Sequence, residues 1–192
     1  MKSKNNLLIK KYTIIAVLVA LAVVLSLFDR SISAAILSMF PGVALIFPYL
    51  KLGLANIVIL IIIYNYEFKS SFISVILKST ILGLFSGLVT FLIGFTGTIL
   101  SYFTMYFLRK VNKSSKFMIF VSMVGGFTHS FGQICANLVF YGQIDPDVAK
   151  SAILLYAPVI LLIGIISGLA VGLITFKLND LINKNNLLGT KE

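Results

Sequence analysis

The chain has 192 residues, of which 59% are hydrophobic and only 11% charged. Soluble domains carry about 25% charged residues, so this composition excludes an ordinary soluble globular protein. Sixteen basic against six acidic residues give a net charge of +10. Because the basic residues lie between long apolar runs, the charge indicates membrane topology rather than binding of nucleic acid. One cysteine, Cys135, and one histidine exclude an intramolecular disulfide and argue against a structural zinc site.

The apolar runs predict six transmembrane helices, since a helix needs about 20 apolar residues to cross a bilayer. The first is expected at 13–28, behind a basic head of four lysines. A secretory signal peptide with a cleavage site at 31–33 is the alternative for this segment, but the continued hydrophobicity of the chain favours a retained helix. A turn near Gly94 and Gly97 is predicted to separate the third span from the fourth. The other five spans are predicted at 52–66, 72–92, 95–108, 118–141 and 152–176.

The segment 31–50 is apolar but interrupted by Pro41, Gly42 and Pro48. Proline and glycine at these positions break a helix. We therefore expect a short helix and a semi-buried loop here, and the part from Ser31 to Pro48 is a candidate lid.

The basic residues also predict the orientation. With the N-terminus in the cytoplasm, the inside segments hold twelve lysines and arginines and the outside segments three. The sequence thus predicts a single integral membrane domain over residues 1–192, multi-pass in the cell membrane, with both termini cytoplasmic. Lys78 falls inside the third span, about 9 Å from its start at 1.5 Å per residue, and is expected to snorkel to the surface.

Small residues spaced by four mark positions where membrane helices approach closely. Glycine stripes of this kind are expected to pack the bundle internally. Ala16 and Ala20 on the first span form a similar pair, which we interpret as a docking face for another membrane subunit. The glycines occur at Gly83 and Gly87 in the third span and at Gly164, Gly168 and Gly172 in the sixth.

The fifth span carries three polar side chains on one helix face. His129, Gln133 and Asn137 are spaced i, i+4 and i+8. Polar side chains inside a membrane are costly and often mark function. A hydrogen-bond ladder between helices is the structural alternative; three such residues in a row, including the only histidine, favour a surface that faces a ligand.

A second polar cluster lies at the outer end of the second span. Lys51 is either an interfacial anchor or a ligand contact, and Asn56 lies about one turn deeper. Both clusters fall in the outer half of the bilayer, so a shared pocket open to the outside is expected. Its predicted substrate-binding residues are Lys51 near the mouth, Asn56, Gln133, Asn137, and His129 at the floor.

Several absences narrow the chemistry. No Asp or Glu falls within a predicted span, and no phosphate-binding GxxxxGK[ST] loop occurs. There is also no pair of Asp-rich clusters for a magnesium–diphosphate complex. We therefore expect no catalytic residues, no metal and no cofactor, and a small-molecule ligand that is neutral and polar or anionic.

Three motifs carry a family resemblance. The blocks 51–57 (KLGLANI) and 101–105 (SYFTM), and the pattern G-x-x-H-x-x-G-Q at 126–133, resemble the Gx transporter family, which is often labelled heptaprenyl diphosphate synthase component I. The resemblance covers roughly residues 13–176, although Ser130 stands where the family commonly has Asn. The family is similar to the S components of energy-coupling factor (ECF) transporters. The resemblance implies a six-helix bundle that binds a small molecule. It also implies partner ATPases that supply the energy and a transmembrane coupling subunit that docks on Ala16-x-x-x-Ala20.

Three functions follow from these observations. The first is a substrate-binding transporter subunit, not itself an enzyme. The second is a non-catalytic membrane component linked to heptaprenyl diphosphate or menaquinone synthesis. The third is a standalone flippase, exporter or scaffold serving flavin-based extracellular electron transfer. The sequence does not name the solute.

Overall fold

The computed structural model describes residues 2–39, 53–143, 146–185 and 188. Within these ranges the protein is all-α, as the sequence predicts, and no strand occurs. The described residues form six helices: α1 (Lys2–Ser38), α2 (Asn56–Asn65), α3 (Phe68–Leu84), α4 (Leu88–Val111), α5 (Phe117–Tyr141) and α6 (Pro146–Lys184).

Four of these helices are long and apolar enough to cross a bilayer, which marks the chain as a membrane protein. The qualifying stretches are Asn5–Ala35, Leu88–Val111, Phe117–Phe140 and Leu154–Lys184, on α1, α4, α5 and α6. The other two are shorter: α2 has 10 residues and α3 has 17. At 1.5 Å per residue they measure about 15 Å and 25 Å, against a hydrocarbon core of about 30 Å.

The short helix α2 is the centre of the bundle. All residues from Ile57 to Ile63 are buried, and α2 contacts each of the other five helices. An apolar run of this length suits a core helix better than a span. The predicted transmembrane span at 52–66 is not confirmed: the helix found there covers only Asn56–Asn65, and its apolar side chains face protein on every side.

The predicted turn between the third and fourth spans is misplaced. The α3 helix ends at Leu84, and Gly87 provides the turn with a φ of +75°, a conformation that side chains disfavour. Gly94 and Gly97 lie inside α4. Gly87 consequently serves the turn, not a packing stripe, and the fourth helix begins seven residues earlier than predicted.

The first and last helices extend beyond their predicted bounds. Residues 31–38, expected to be broken, continue α1 without interruption. The rest of the candidate lid, from 40 to 48, lies outside the described residues. The α6 helix runs through Pro158 and covers the predicted span 152–176 with several further residues at each end.

The glycine stripe of α6 packs against α5, which confirms the internal-packing prediction. A Cβ added at Gly168 would lie 2.5 Å from the Ser122 carbonyl oxygen, and one at Gly172 would lie 2.9 Å from Ile119 Cα. Only glycine permits backbones to approach so closely. This contact holds α5 in place and so positions the polar residues of the fifth helix.

The α3 helix is polar inside and apolar outside. This is the reverse of the pattern in soluble proteins, and it is expected of a helix that lies between lipid and a polar interior. Its buried positions include Ser70, Ser71, Ser74, Lys78 and Ser79. Its exposed apolar positions are Phe68, Ile73, Leu77, Ile81 and Leu84.

Charged and polar contacts gather at one end of the bundle, which we call the basic end. There the Lys11 ammonium lies 2.7 Å from the Glu67 carboxylate, and Arg109 Nη2 donates to the Tyr64 carbonyl oxygen at 2.9 Å. A hydrogen bond from Asn65 to Asn179 joins α6 to the same end at 2.7 Å. Residues predicted to be cytoplasmic are thus brought together, while Asp29 and Gly53 meet towards the opposite end.

Candidate functional site

A polar cavity lies in the half of the bundle opposite the basic end. Helices α1, α3, α4 and α5 and the start of α2 all contribute to its walls. Its volume is about 40 Å³, room for about three water molecules. The aromatic rings of Phe91 and Phe95 form part of one wall. The principal polar side chains of the lining are Ser26, Asp29, Asn56, Lys78, Ser79 and His129.

Asp29 joins α1 to the beginning of α2 at this cavity. It is only 2% exposed, and its Oδ2 accepts a hydrogen bond from the Gly53 backbone N–H at 2.8 Å. Gly53 has a φ of +85°, which glycine adopts without strain. The expectation that no acidic residue lies within a span is therefore wrong: α1 continues past Asp29, and the carboxylate is buried where a charge-assisted hydrogen bond satisfies it.

Lys78 contributes a cation to the same cavity. It is 5% exposed, and α3 begins ten residues before it, about 15 Å along the helix axis. The prediction that its side chain snorkels to the surface is wrong, because Lys78 lies on the inward, serine-rich face of α3. Asp29 and Lys78 are the two charged site residues that the sequence-based prediction missed, and the serines Ser26 and Ser79 were missed with them.

His129 and Asn56, both predicted ligand contacts, do come together. Together with Gly53 they line the main cavity and also a second cavity of about 10 Å³, room for about one water. Serines of α5 and α6 line the far side of this second cavity: Ser122, Ser130 and Ser167. His129 and Asn56 therefore form the wall between two polar spaces.

The other predicted site residues have different positions. Gln133 and Asn137 are buried, at 4% and 5% exposed, but they line neither of these two cavities. Lys51 lies outside the described residues. Ala16 and Ala20 are exposed on α1, which packs against α2 and α3 among the described helices. The predicted pocket is thus assembled only in part, around Asn56 and His129.

The cavity lining contains both a negatively and a positively charged side chain. A carboxylate, an ammonium, an imidazole, an amide and several hydroxyls border one space. The Asp29 carboxylate offsets the Lys78 ammonium, so the described lining offers no excess positive charge for a polyanion such as a diphosphate, whereas a neutral or zwitterionic polar molecule meets both donors and acceptors. Over the residues that the structure describes, no three His, Cys, Asp or Glu side chains group as metal ligands would.

Comparison with known proteins gives one positive finding. Residues 18–178 match the family described as heptaprenyl diphosphate synthase component I, close to the 13–176 expected from the motifs. Neither the curated proteins nor the solved structures gave a match. The matched range includes Asp29, Lys78 and His129. The chain therefore belongs to the heptaprenyl diphosphate synthase component I family.

Proposed function

We propose that this protein is the solute-binding membrane subunit of a transporter, and that the cavity between α1, α3, α4 and α5 is its binding site. The observation that carries the proposal is the pair Asp29 and Lys78, buried together around open space within an apolar bundle. The solute would be small and polar, and either neutral or zwitterionic.

The energetic argument starts from the cost of charge in a membrane. Inserting an Asp or Lys at the centre of a membrane-spanning helix costs about 2.5–3.5 kcal/mol on insertion scales, whereas an apolar side chain inserts favourably. Asp29 and Lys78 both border a cavity, and in membrane proteins such residues commonly lie along solute or ion pathways.

Energy for transport would come from partner subunits. Ala16 and Ala20 lie on the exposed face of α1, where their small side chains allow close approach of another helix. Larger apolar side chains beside them, including Val17, Leu21 and Val24, are also exposed. This surface suits a transmembrane coupling subunit, with ATPases bound behind it, as in ECF transporters.

The family description favours a second candidate, a non-catalytic membrane component of heptaprenyl diphosphate synthesis. In that case a prenyl synthase would be the partner, and the cavity would serve a diphosphate or a lipid. Because the one lysine of the described lining is offset by Asp29, the cavity has no excess positive charge to hold a diphosphate, so transport remains the preferred function.

Native mass spectrometry of the protein purified from its membrane tests the proposal. Wild-type protein is expected to carry a small polar solute, and Lys78→Met is expected to lose it. The variant Lys69→Met is the matched control, since Lys69 is an exposed lysine of the same helix. The double variant Asp29→Asn/Lys78→Met removes both charges together, so that no single buried charge is left to cause misfolding. Retention of the solute by both Lys78 variants, or co-purification with a prenyl synthase and no solute, would contradict the proposal.

A further inference from the structure

Two buried polar atoms follow His129 along α5 without a hydrogen-bond partner. Within the described part of the chain, neither Gln133 Nε2 nor Asn137 Oδ1 is paired, although both residues are at least 95% buried. A buried donor or acceptor left unpaired is costly, and most buried polar groups are satisfied by protein, water or ligand. These two atoms therefore indicate an occupant that the described part of the chain does not supply.

The Gln133 side chain is adjacent to the main cavity. A Cβ added at Gly97 of α4 would lie 2.9 Å from Gln133 Cγ and 3.3 Å from His129 Cε1. Gly97 is therefore in close contact with both residues, which places Gln133 beside the stretch of α4 that borders the cavity. Gly94 and Thr98, on the same stretch of α4, line the main cavity. An occupant of the cavity needs to extend by only about one helical turn to reach Gln133.

The unpaired atoms have opposite hydrogen-bonding character. Asn137 Nδ2 donates to the Gln133 carbonyl oxygen at 2.9 Å, which fixes the orientation of the Asn137 amide and leaves its oxygen as the unpaired acceptor. Gln133 presents the unpaired donor. Gln133 therefore requires a hydrogen-bond acceptor, and Asn137, one helical turn away, requires a donor.

We infer that Gln133 and Asn137 form a subsite for an uncharged group of the solute that both accepts and donates a hydrogen bond, such as a carboxamide, a lactam or a hydroxyl. The inference rests on the proposed function and narrows the solute class. A carboxylate or phosphate offers only acceptors and leaves Asn137 Oδ1 unpaired. An ammonium or amidinium offers only donors and leaves Gln133 Nε2 unpaired.

Three probes of nearly identical shape test this subsite: acetamide, acetate and acetamidinium. The melting temperature of the purified full-length protein is followed as each probe is titrated through the millimolar range, because such small molecules bind weakly. Acetamide is expected to stabilise the wild type, and acetate and acetamidinium are not. Gln133→Met and Asn137→Leu replace the amides with apolar groups of similar size and should weaken acetamide binding about tenfold, the effect of one buried hydrogen bond.

The apo variants provide a second readout. Gln133→Met removes an unpaired buried donor and should leave the unliganded protein as stable as the wild type or more stable, whereas Asn137→Leu also removes the bond to the Gln133 carbonyl oxygen and is not used for this readout. Thr104→Val is the control, since Thr104 bonds only its own helix, to the Leu100 carbonyl oxygen, and should leave acetamide binding unchanged.

Stronger binding of acetate or acetamidinium than of acetamide, or equal acetamide binding by the variants and the wild type, overturns the subsite. So does an ordered water as the sole occupant, which would appear as no response to acetamide. If any of these occurs while Lys78→Met still loses a co-purifying solute, the subsite fails and the proposed function stands.

Discussion

The contact between α5 and α6 determines where His129 lies, and it can be perturbed by one methyl group. In Gly168→Ala the new Cβ would lie 2.5 Å from the Ser122 carbonyl oxygen and 2.9 Å from Met123 Cα. Ordinary contact begins at 3.4 Å, so the oxygen contact is 0.9 Å too short (3.4 less 2.5). Both neighbours are backbone atoms that cannot rotate away. The helices must therefore separate by a large fraction of an ångström.

Overpacking of this kind costs about 1–3 kcal/mol, and the rigid backbone places Gly168→Ala at the upper end. Alanine is the better helix former by about 1 kcal/mol, which leaves a net loss of about 2 kcal/mol. Unfolding in mixed micelles of a mild detergent and dodecyl sulfate, followed by far-ultraviolet circular dichroism, measures this loss. Ala170→Val adds volume on the exposed face of the same helix and should change the free energy of unfolding by less than about 0.5 kcal/mol. Unchanged or increased stability of Gly168→Ala would refute the close-packing account.

Two further predictions concern charged residues. Asp29→Leu leaves the Gly53 N–H without its acceptor and should lower the free energy of unfolding by about 1–3 kcal/mol, whereas Asp29→Asn keeps an acceptor oxygen and should lower it less; equal stability of all three proteins would contradict the contact. Hydrogen bonds from Lys11 and then Ser70 hold the pKa of the Glu67 carboxyl below its usual 4.5. A lowered pKa stabilises the folded state above the unfolded value, so this contribution is present above about pH 4.5 and is lost as the pH falls through the lower folded pKa. Because the Glu67 side chain is 67% exposed, the ion pair contributes only about 0.2–1 kcal/mol. Melting temperatures of the wild type and Glu67→Gln should therefore converge in acid, and a difference independent of pH would contradict the ion pair.

Hydropathy and helix-stopping residues predicted the fifth helix almost residue for residue. The expected span 118–141 is found as Phe117–Tyr141, because a continuous apolar run is bounded by Lys116 and ends at Gly142. Hydropathy served less well where the apolar run was longer than one helix. Between 72 and 108 several glycines compete as turn positions, and only the three-dimensional packing selects Gly87, with its positive φ, over Gly94 and Gly97.

The candidate site was harder to predict because its contacts are distant in sequence. Asp29 was interpreted as the end of a span, since hydropathy treats each residue by itself. Its acceptor role depends on Gly53, 24 positions later. The apolar run that resumes after Asp29 was the available signal, because a helix continuing through 31–38 places the carboxylate inside the span. Helical spacing did predict that His129, Gln133 and Asn137 share a face, but not that only His129 reaches the main cavity.

The central claim is that a water-soluble molecule enters the cavity, and cysteine accessibility tests it most directly. Cys135→Ala removes the native thiol, and Ser79→Cys places one on the cavity wall, where Ser79 is 6% exposed. Leu77→Cys is the control on the exposed apolar face of the same helix, where lipid keeps the thiol un-ionised and unreactive. In intact membranes, a small polar methanethiosulfonate reagent is expected to label Ser79→Cys and spare Leu77→Cys. An inert Ser79→Cys, or labelling confined to Leu77→Cys, would contradict the solute-binding account.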